Sequence, residues 1–450
     1  MSLAERSVTS ITWNASTNLI KIGVLLVRSI ILARLLPVET FGVYALATSI
    51  VTFTGIIPMY GMGSAYLHRS PETADEEQAA AVHFTLRLVL TALWAALLVL
   101  LAYLFTNGAL RIALVALTLT FAGLYLTDTP KIILTRRVEH RRLAVLDLLT
   151  AITTTLAAVV MARRGYDLWA LLATDIVTLG VAIVGLYLWR PVWRPRLLWV
   201  HDTIRYYLRF GGRTMAGGIM AEALDNVDDI WIGTNLGQEA LGFYSRAYTF
   251  ATYPRRLLAF PINMVAGGTY AESKDDRHRL SQAFFRTNAL LIRSGFLLGG
   301  VLALIAPEFV VLALGEKWLP MVPIFRLMTV FTLLDPIRIT VSQVFVAAGK
   351  PEQIIRVRAL QLAVLVFGLY LLGRLYGAGA FGAVWLTCQS ITCPSNWITG
   401  FIKGIVYCLI FMGVLLATER TQMMRMIFDL KKVYFKGKKA DQKAPATEKR

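Results

Sequence analysis

Apolar runs of about 20 residues recur along this chain from residue 11 to residue 418, with the charged residues gathered between them. A helix that spans a bilayer needs about that length. In lipid every backbone N–H and C=O must be bonded within the chain, which leaves only helices and closed barrels. Barrel strands are about ten residues long and alternate in polarity, whereas these runs are longer and continuous. The sequence therefore predicts an all-α polytopic membrane protein. Its spans lie at roughly 11–33, 41–66, 82–105, 109–128, 144–162, 168–189, 211–233, 241–265, 284–305, 321–347, 359–376 and 380–402, and a weaker thirteenth at 404–418.

The charge pattern orients the chain. If the N-terminus is cytoplasmic, the inner loops hold seventeen Lys and Arg and the outer loops six, the bias that the positive-inside rule expects. The net charge of +18 is then a property of basic inner loops. No zinc-finger or RNP-type motif accompanies it, so no nucleic-acid partner is expected. The opening MSLAERSVTS reads as no cleavable signal, because the apolar run behind it is long, interrupted by charge and lacks a small-residue cleavage site. The end of the chain differs from the rest. Cys388, Cys393 and Cys408 are its only cysteines, and eight of its thirteen lysines follow residue 400. That composition fits a variable terminus with a basic tail, or a truncated or replaced one.

An internal repeat organises the body. LPVETFGVYALA at 36–47 and LGQEALGFYSRA at 236–247 share Leu36, Glu39, Gly42, Tyr44 and Ala47 with Leu236, Glu239, Gly242, Tyr244 and Ala247 at a constant offset of 200. A fainter echo pairs LTDTPKI at 126–132 with LLDPIRI at 333–339. The offset lays the first two spans over the seventh and eighth. The expected fold is two parallel six-helix bundles related by a pseudo-two-fold axis along the membrane normal, with 12–13 transmembrane helices in all. The lobes would be 1–200 and 201–402, followed by an atypical apolar segment and basic tail at 403–450. Transporters built from repeats hold substrate between them.

Ionisable residues inside spans are costly and point to function. Asn14, Lys21 and Arg28 recur every seven residues on the first span, with Asn18 beside them, and so share one face. This stripe could line a cationic cavity, or Lys21 could reach the interface and Arg28 a backbone carbonyl. On the seventh span Glu222, Asp225 and Asp229 form an acidic stripe. They are candidates for ion coupling, or for pairing with the first span across the lobes. Arg286 and Arg293 share a face of the ninth span; Arg246 lies on the eighth and Arg255–Arg256 at its inner end. Several guanidinium groups in one cavity would suit a phosphate-bearing anion, because Arg presents a planar fork to phosphate oxygens. His83 and Arg87 are expected at the membrane interface, and Asp128 and Asp335 at helix ends beside Pro130 and Pro336.

Familiar catalytic and nucleotide motifs are absent or out of context. GAGAFG at 377–382 has the spacing of a dinucleotide fingerprint, but no strand precedes it and no acid follows at the required distance. No G-x-x-x-x-G-K-[ST], H-E-x-x-H or G-x-S-x-G occurs. Asn14-Ala15-Ser16 matches a glycosylation sequon but opens a membrane span. The five histidines show no ligand spacing, and no metal, cofactor or enzymatic activity is expected.

The segments ILARLLPVETFGVYALATSIVTFTGIIPMYGMG, DNVDDIWIGTNLGQEALGFYSRAYTFATYPRRLLAFP and GVLALIAPEFVVLALGEKWLPMVPIFRLM, with the AAGKPEQ loop, resemble those of bacterial polysaccharide-biosynthesis flippases. These belong to the multidrug/oligosaccharidyl-lipid/polysaccharide exporter superfamily. The resemblance runs from residue 10 to about 387. It implies two lobes around a central cavity, alternating access, and a bacterial inner-membrane location. It also implies a substrate of undecaprenyl-pyrophosphate-linked oligosaccharide repeat units, moved for capsule, exopolysaccharide or O-antigen synthesis. Membrane lipid, a polysaccharide polymerase and glycosyltransferases would be partners. Lys21, Arg28 and Arg293 are the positions that would serve as cationic cavity residues. Such flippases usually have fourteen helices, more than this chain accommodates. A multidrug or cation antiporter of the same superfamily is one alternative, and a membrane polysaccharide polymerase or ligase another. The antiporter would favour carboxylates and aromatics in the cavity; the enzyme needs a long outer loop.

Overall fold

Among the described residues the apolar runs close their backbone into helices, as lipid demands. The computed structural model describes residues 3–70, 75–137, 139–254, 256–257, 270, 276–329, 345, 354–363 and 366, and among them it contains helices and no strand. In chain order these are α1 (Leu3–Leu35), α2 (Val38–Thr54), α3 (Ile56–Met59), α4 (Met62–His68), α5 (Glu76–Phe105), α6 (Gly108–Leu126) and α7 (Asp128–Arg136). There follow α8 (His140–Arg163), α9 (Asp167–Ile183) with a π-helical turn at Val184–Leu188, α10 (His201–Asn235), α11 (Gln238–Ala251), α12 (Arg277–Leu304) and α13 (Ala306–Ala313). The predicted spans from 330 onward lie largely outside the described residues. The tail, the three cysteines, Asp335 and GAGAFG lie wholly outside them.

Six of the described helical stretches are long and apolar enough to cross a membrane, among them Glu76–Phe105 and Arg141–Arg163. Helix α5 shows why they need lipid. Trp94, Leu98 and Ala102 are buried on one face, while Leu93, Leu97, Leu100 and Leu104 are exposed on the other. A row of exposed leucines this long is tolerated where the surroundings are as apolar as the side chains.

Two boundaries depart from the sequence reading. The expected 41–66 span is broken into α2, α3 and α4, with Tyr60 and Gly61 in the left-handed region (φ 40° and 63°). The bend brings Gly61 against α10, where a Cβ on it would lie 2.7 Å from the Gly211 carbonyl oxygen. Helix α10 starts at His201 rather than at 211. Its polar first turns escape a hydropathy window, yet they bury Tyr207 among Tyr66, Ala79 and Ile133.

The repeat is realised as a symmetric contact between α2 and α11. A Cβ on Gly42 would lie 1.6 Å from the carbonyl oxygen of Gln238, and one on Gly242 would lie 2.4 Å from that of Val38. Residues 38 and 238 are themselves repeat mates, so each contact is the pseudo-symmetry image of the other. Only glycine permits such an approach of one helix backbone to another. The fold is thus the expected one, two helical bundles related by a pseudo-two-fold.

Next to this seam, the elbow between α1 and α2 is clasped by the segment after α12. Trp318 Nε1 donates to the Ala33 carbonyl at 2.9 Å, and Lys317 Nζ to those of Arg34 (3.0 Å) and Leu36 (2.7 Å). Arg34 returns the contact by donating to the carbonyls of Ala313 and Leu312. The Trp318 ring meets Phe41 and Phe243 edge-on, one from each repeat. Leu36, Phe41, Phe243, Val310 and Trp318 belong to one apolar cluster that seals this end of the lobe interface.

Candidate functional site

Beneath the seal the packing turns polar. Helices α1 and α8 run parallel in register. Lys21 Nζ donates to Asp147 Oδ2 at 2.7 Å, and Arg28 Nη1 to Thr154 Oγ1 at 3.1 Å, both across 126 residues. The seven-residue spacing of the α1 stripe is therefore answered by seven-residue spacing on α8. This differs from the expected pairing of α1 with the acidic stripe: Lys21 finds its carboxylate inside its own bundle. The reason is geometric, since α10 lies along α2 instead of α1.

Along that α2–α10 seam, Asp229 Oδ2 accepts from Ser49 at 2.9 Å, and Asn226 Oδ1 accepts from Thr52 at 2.8 Å. Asn226 Nδ2 in turn donates to Glu222 at 3.1 Å. Asp225 is exposed. The acids of α10 thus meet hydroxyl and amide groups. Arg286 is exposed and Arg293 half-buried on α12. Asn14 lies on α1, but its side chain is outside the described set.

Two further groups lie near Arg28: Asp175, which the sequence reading passed over, and Arg246, which it noted only as one of several arginines. Asp175, on apolar α9, accepts from Tyr44 Oη at 2.7 Å. Tyr244, the repeat mate of Tyr44, donates to Asp228 at 2.5 Å. Each bundle thus presents a tyrosine hydroxyl to an intramembrane aspartate. Asp175 could have been found as a lone acid in an apolar run; Asp228 sits beside Asp229 in a motif already noted.

Arg246 of α11 is the second. Its guanidinium carbon lies 4.6 Å from the centre of the Phe41 ring, and Nη1 reaches Ser29 Oγ on α1 at 3.5 Å. Its Nε is buried with no hydrogen-bond partner. Arg28 and Arg246 lie within electrostatic reach of each other and of Tyr44. Among the described residues neither joins a carboxylate in an ion pair, unlike Lys21, Arg87, Arg137 and Arg196. One guanidinium from each bundle is thus near the other and outside any ion pair, and the Nε of Arg246 has no partner. Chemically, such a pair can grip an anion with several oxygens.

His83 and Arg87, expected at the membrane interface, are buried among neighbouring helices. Arg87 donates to Asp128 at 2.9 Å and to the Pro58 carbonyl at 3.1 Å, and His83 Nδ1 contacts Thr129 Oγ1 at 2.9 Å. Helix α5 extends well ahead of its apolar window, and α3, α4, α7 and α10 close around that end. No cluster of His, Cys, Asp and Glu able to hold a metal ion occurs among the described residues.

Known proteins resemble this chain in architecture and, more distantly, in sequence. The chain is 14% identical to the lipid II flippase MurJ in an inward closed conformation, with a TM-score of 0.64 over 90% of this chain and 98% of that one. An inward-facing multidrug resistance MATE family transporter of the MOP superfamily gives a TM-score of 0.62 at 15% identity, over 92% of this chain and 99% of that one. At these identities the likeness speaks for the fold. In sequence the chain is 23% identical to the lipopolysaccharide biosynthesis protein WzxC of Escherichia coli, over 84% of this chain and 77% of that protein. It is 27% identical to the succinoglycan biosynthesis transport protein ExoT of Rhizobium meliloti, over 72% of this chain and 66% of that protein. The polysaccharide biosynthesis protein family matches residues 31–323, well over half the chain. The chain therefore belongs to that family, as a multi-pass membrane transporter and not an enzyme.

Proposed function

We propose that this protein flips undecaprenyl-pyrophosphate-linked oligosaccharide repeat units from the cytoplasmic to the periplasmic leaflet of a bacterial inner membrane. Its N-terminus is cytoplasmic, and residues 1–200 and 201–402 are the two lobes that rock against each other. The observation that carries the reading is the pair Arg28 and Arg246, one from each bundle, in the membrane interior and outside any ion pair among the described residues. A pyrophosphate carries enough oxygens to engage both forks, and the two cations offset the cost of bringing its charge into the bilayer. That cost is roughly 2.5–3.5 kcal/mol per charge on insertion scales. The sugars would occupy the aqueous cleft and the polyprenyl chain would stay in lipid. Arg293 and Lys21 are proposed to help draw the head group in.

The names of the similar proteins, a lipopolysaccharide biosynthesis protein and a succinoglycan transport protein, support a surface-polysaccharide precursor as cargo. An organic cation, the cargo of a multidrug exporter, would be repelled by Arg28 and Arg246. The test is complementation of a strain that lacks this protein. Arg28→Ala and Arg246→Ala should each cut polymer output at least tenfold at unchanged protein level, and Arg28→Lys should restore part of it. Full output from both alanine variants would refute the cationic site.

A further inference from the structure

Asp175 stands in an apolar stretch, LWALLATDIVTLG, where a carboxylate is expensive. What it does for the fold is accept the Tyr44 proton at 2.7 Å and a weaker contact from Thr174 at 3.4 Å. An asparagine oxygen would serve both donors at lower cost. What an asparagine lacks is a charge that can be switched. The charged and titratable groups that face Asp175 are Tyr44 from α2 and Arg28 from α1, with Arg246 of α11 beyond them. Arg28 is near Asp175 but not clasped to it, because its hydrogen bond goes to Thr154. Asp175 therefore lies where, when ionised, it can balance Arg28, and where an incoming anion would take over that task.

Resting on the pyrophosphate reading above, we propose that Asp175 is a substrate-linked proton site. It is ionised while the cavity is empty and takes up one proton when a pyrophosphate head group occupies Arg28 and Arg246. In that step an O–H bond forms on the Asp175 carboxylate with a proton from cavity water, and Tyr44 keeps its hydrogen bond to the other carboxyl oxygen. On release of the head group the proton returns to water and the carboxylate again balances Arg28. The loaded protein then carries one negative charge fewer through the membrane. Tyr244–Asp228 in the other bundle has the same hydroxyl–carboxyl geometry, with Asp229 adjacent and bonded to Ser49.

Linkage fixes the sign. A proton taken up on binding makes affinity rise as pH falls, and binding raises proton affinity by the same factor. The test uses the purified full chain in detergent with farnesyl pyrophosphate as probe. Calorimetry in two buffers of different ionisation enthalpy counts protons, and the Asp175→Asn variant cancels the titration of the probe itself. Wild type should take up about one proton more per bound probe than Asp175→Asn. Its affinity should also fall by up to about tenfold per pH unit more steeply than that of the variant. Asp175→Glu should keep the wild-type proton count, and Tyr44→Phe should move the profile along the pH axis. If Asp175→Asn matches wild type in both proton count and pH profile while Arg28→Ala loses binding, the proton role is overturned and the pyrophosphate site stands. If wild type binds the probe no better than Arg28→Ala, the pyrophosphate reading falls and the proton role with it.

Discussion

Arg87 and Arg137 each donate to a carboxylate, yet one is sealed from water and the other is not. Arg87 is 2% accessible and holds Asp128, whereas the Arg137–Glu76 pair is 45% and 42% accessible. Removing one partner of a buried pair strands the other, at about 3–5 kcal/mol; an exposed pair contributes about 0–1 kcal/mol. Arg87→Ala should therefore sharply lower the unfolding temperature of the purified protein, and Arg137→Ala should leave it within a degree or two. Equal effects would mean that Asp128, itself 24% accessible, is solvated well enough to do without Arg87. These residues also show what single positions reveal in a sequence. Lys21 and Arg28 announce themselves by their spacing on an apolar helix. Nothing in that spacing names the partner, because Asp147 and Thr154 lie 126 positions away and only the packing of α1 on α8 puts them in register. The burial of His83 and Arg87 was hidden for a related reason: burial at the end of a span depends on neighbouring helices that the span itself does not encode.

The α2–α11 seam rests on two glycines. A methyl on Gly42 would lie 1.6 Å from the Gln238 carbonyl oxygen, so Gly42→Ala must push the two helices apart, whereas around Gly23 of α1 nothing lies within 4 Å. Gly42→Ala should reduce polymer output about tenfold or more at normal protein level, and Gly242→Ala should do the same. Gly23→Ala should be close to wild type in a complementation assay. A silent Gly42→Ala would show that the seam is looser than its geometry. This element was legible in advance, because Gly42 and Gly242 fall in the repeat at an offset of 200. The break of the same span into α2, α3 and α4 was signalled by Gly55, Pro58 and Gly61 but hidden by their apolar surroundings. Conversely, the first turns of α10 were missed because they are polar, although the fold buries Tyr207 there.

At the scale of the whole molecule, alternating access requires one end of the lobe interface to part. The clasp of Lys317 and Trp318 on the α1–α2 elbow, with Trp318 between Phe41 and Phe243, closes one end in this conformation. A Leu36→Cys/Lys317→Cys pair, placed in a chain whose three native cysteines are changed to serine, should lock that end when joined by a bifunctional thiol cross-linker that contains a cleavable disulfide. Polymer output should stop, and a reductant should restore it. Transport that continues through the cross-link would remove this clasp from the transport cycle. The two-bundle architecture could be read from apolar runs and one repeat. The meeting of Arg28 with Arg246 could not, because it depends on how the two bundles face each other.

The most direct test of flipping itself is leaflet assignment of lipid-linked repeat units in cells lacking this protein, beside cells that carry it. A membrane-impermeant sugar-modifying reagent applied from the periplasmic side reads the outer pool. The account predicts that repeat units build up out of reach of the reagent without the protein. They should become reachable with the wild-type chain and stay out of reach with Arg246→Ala. Repeat units equally reachable in all three strains would contradict it.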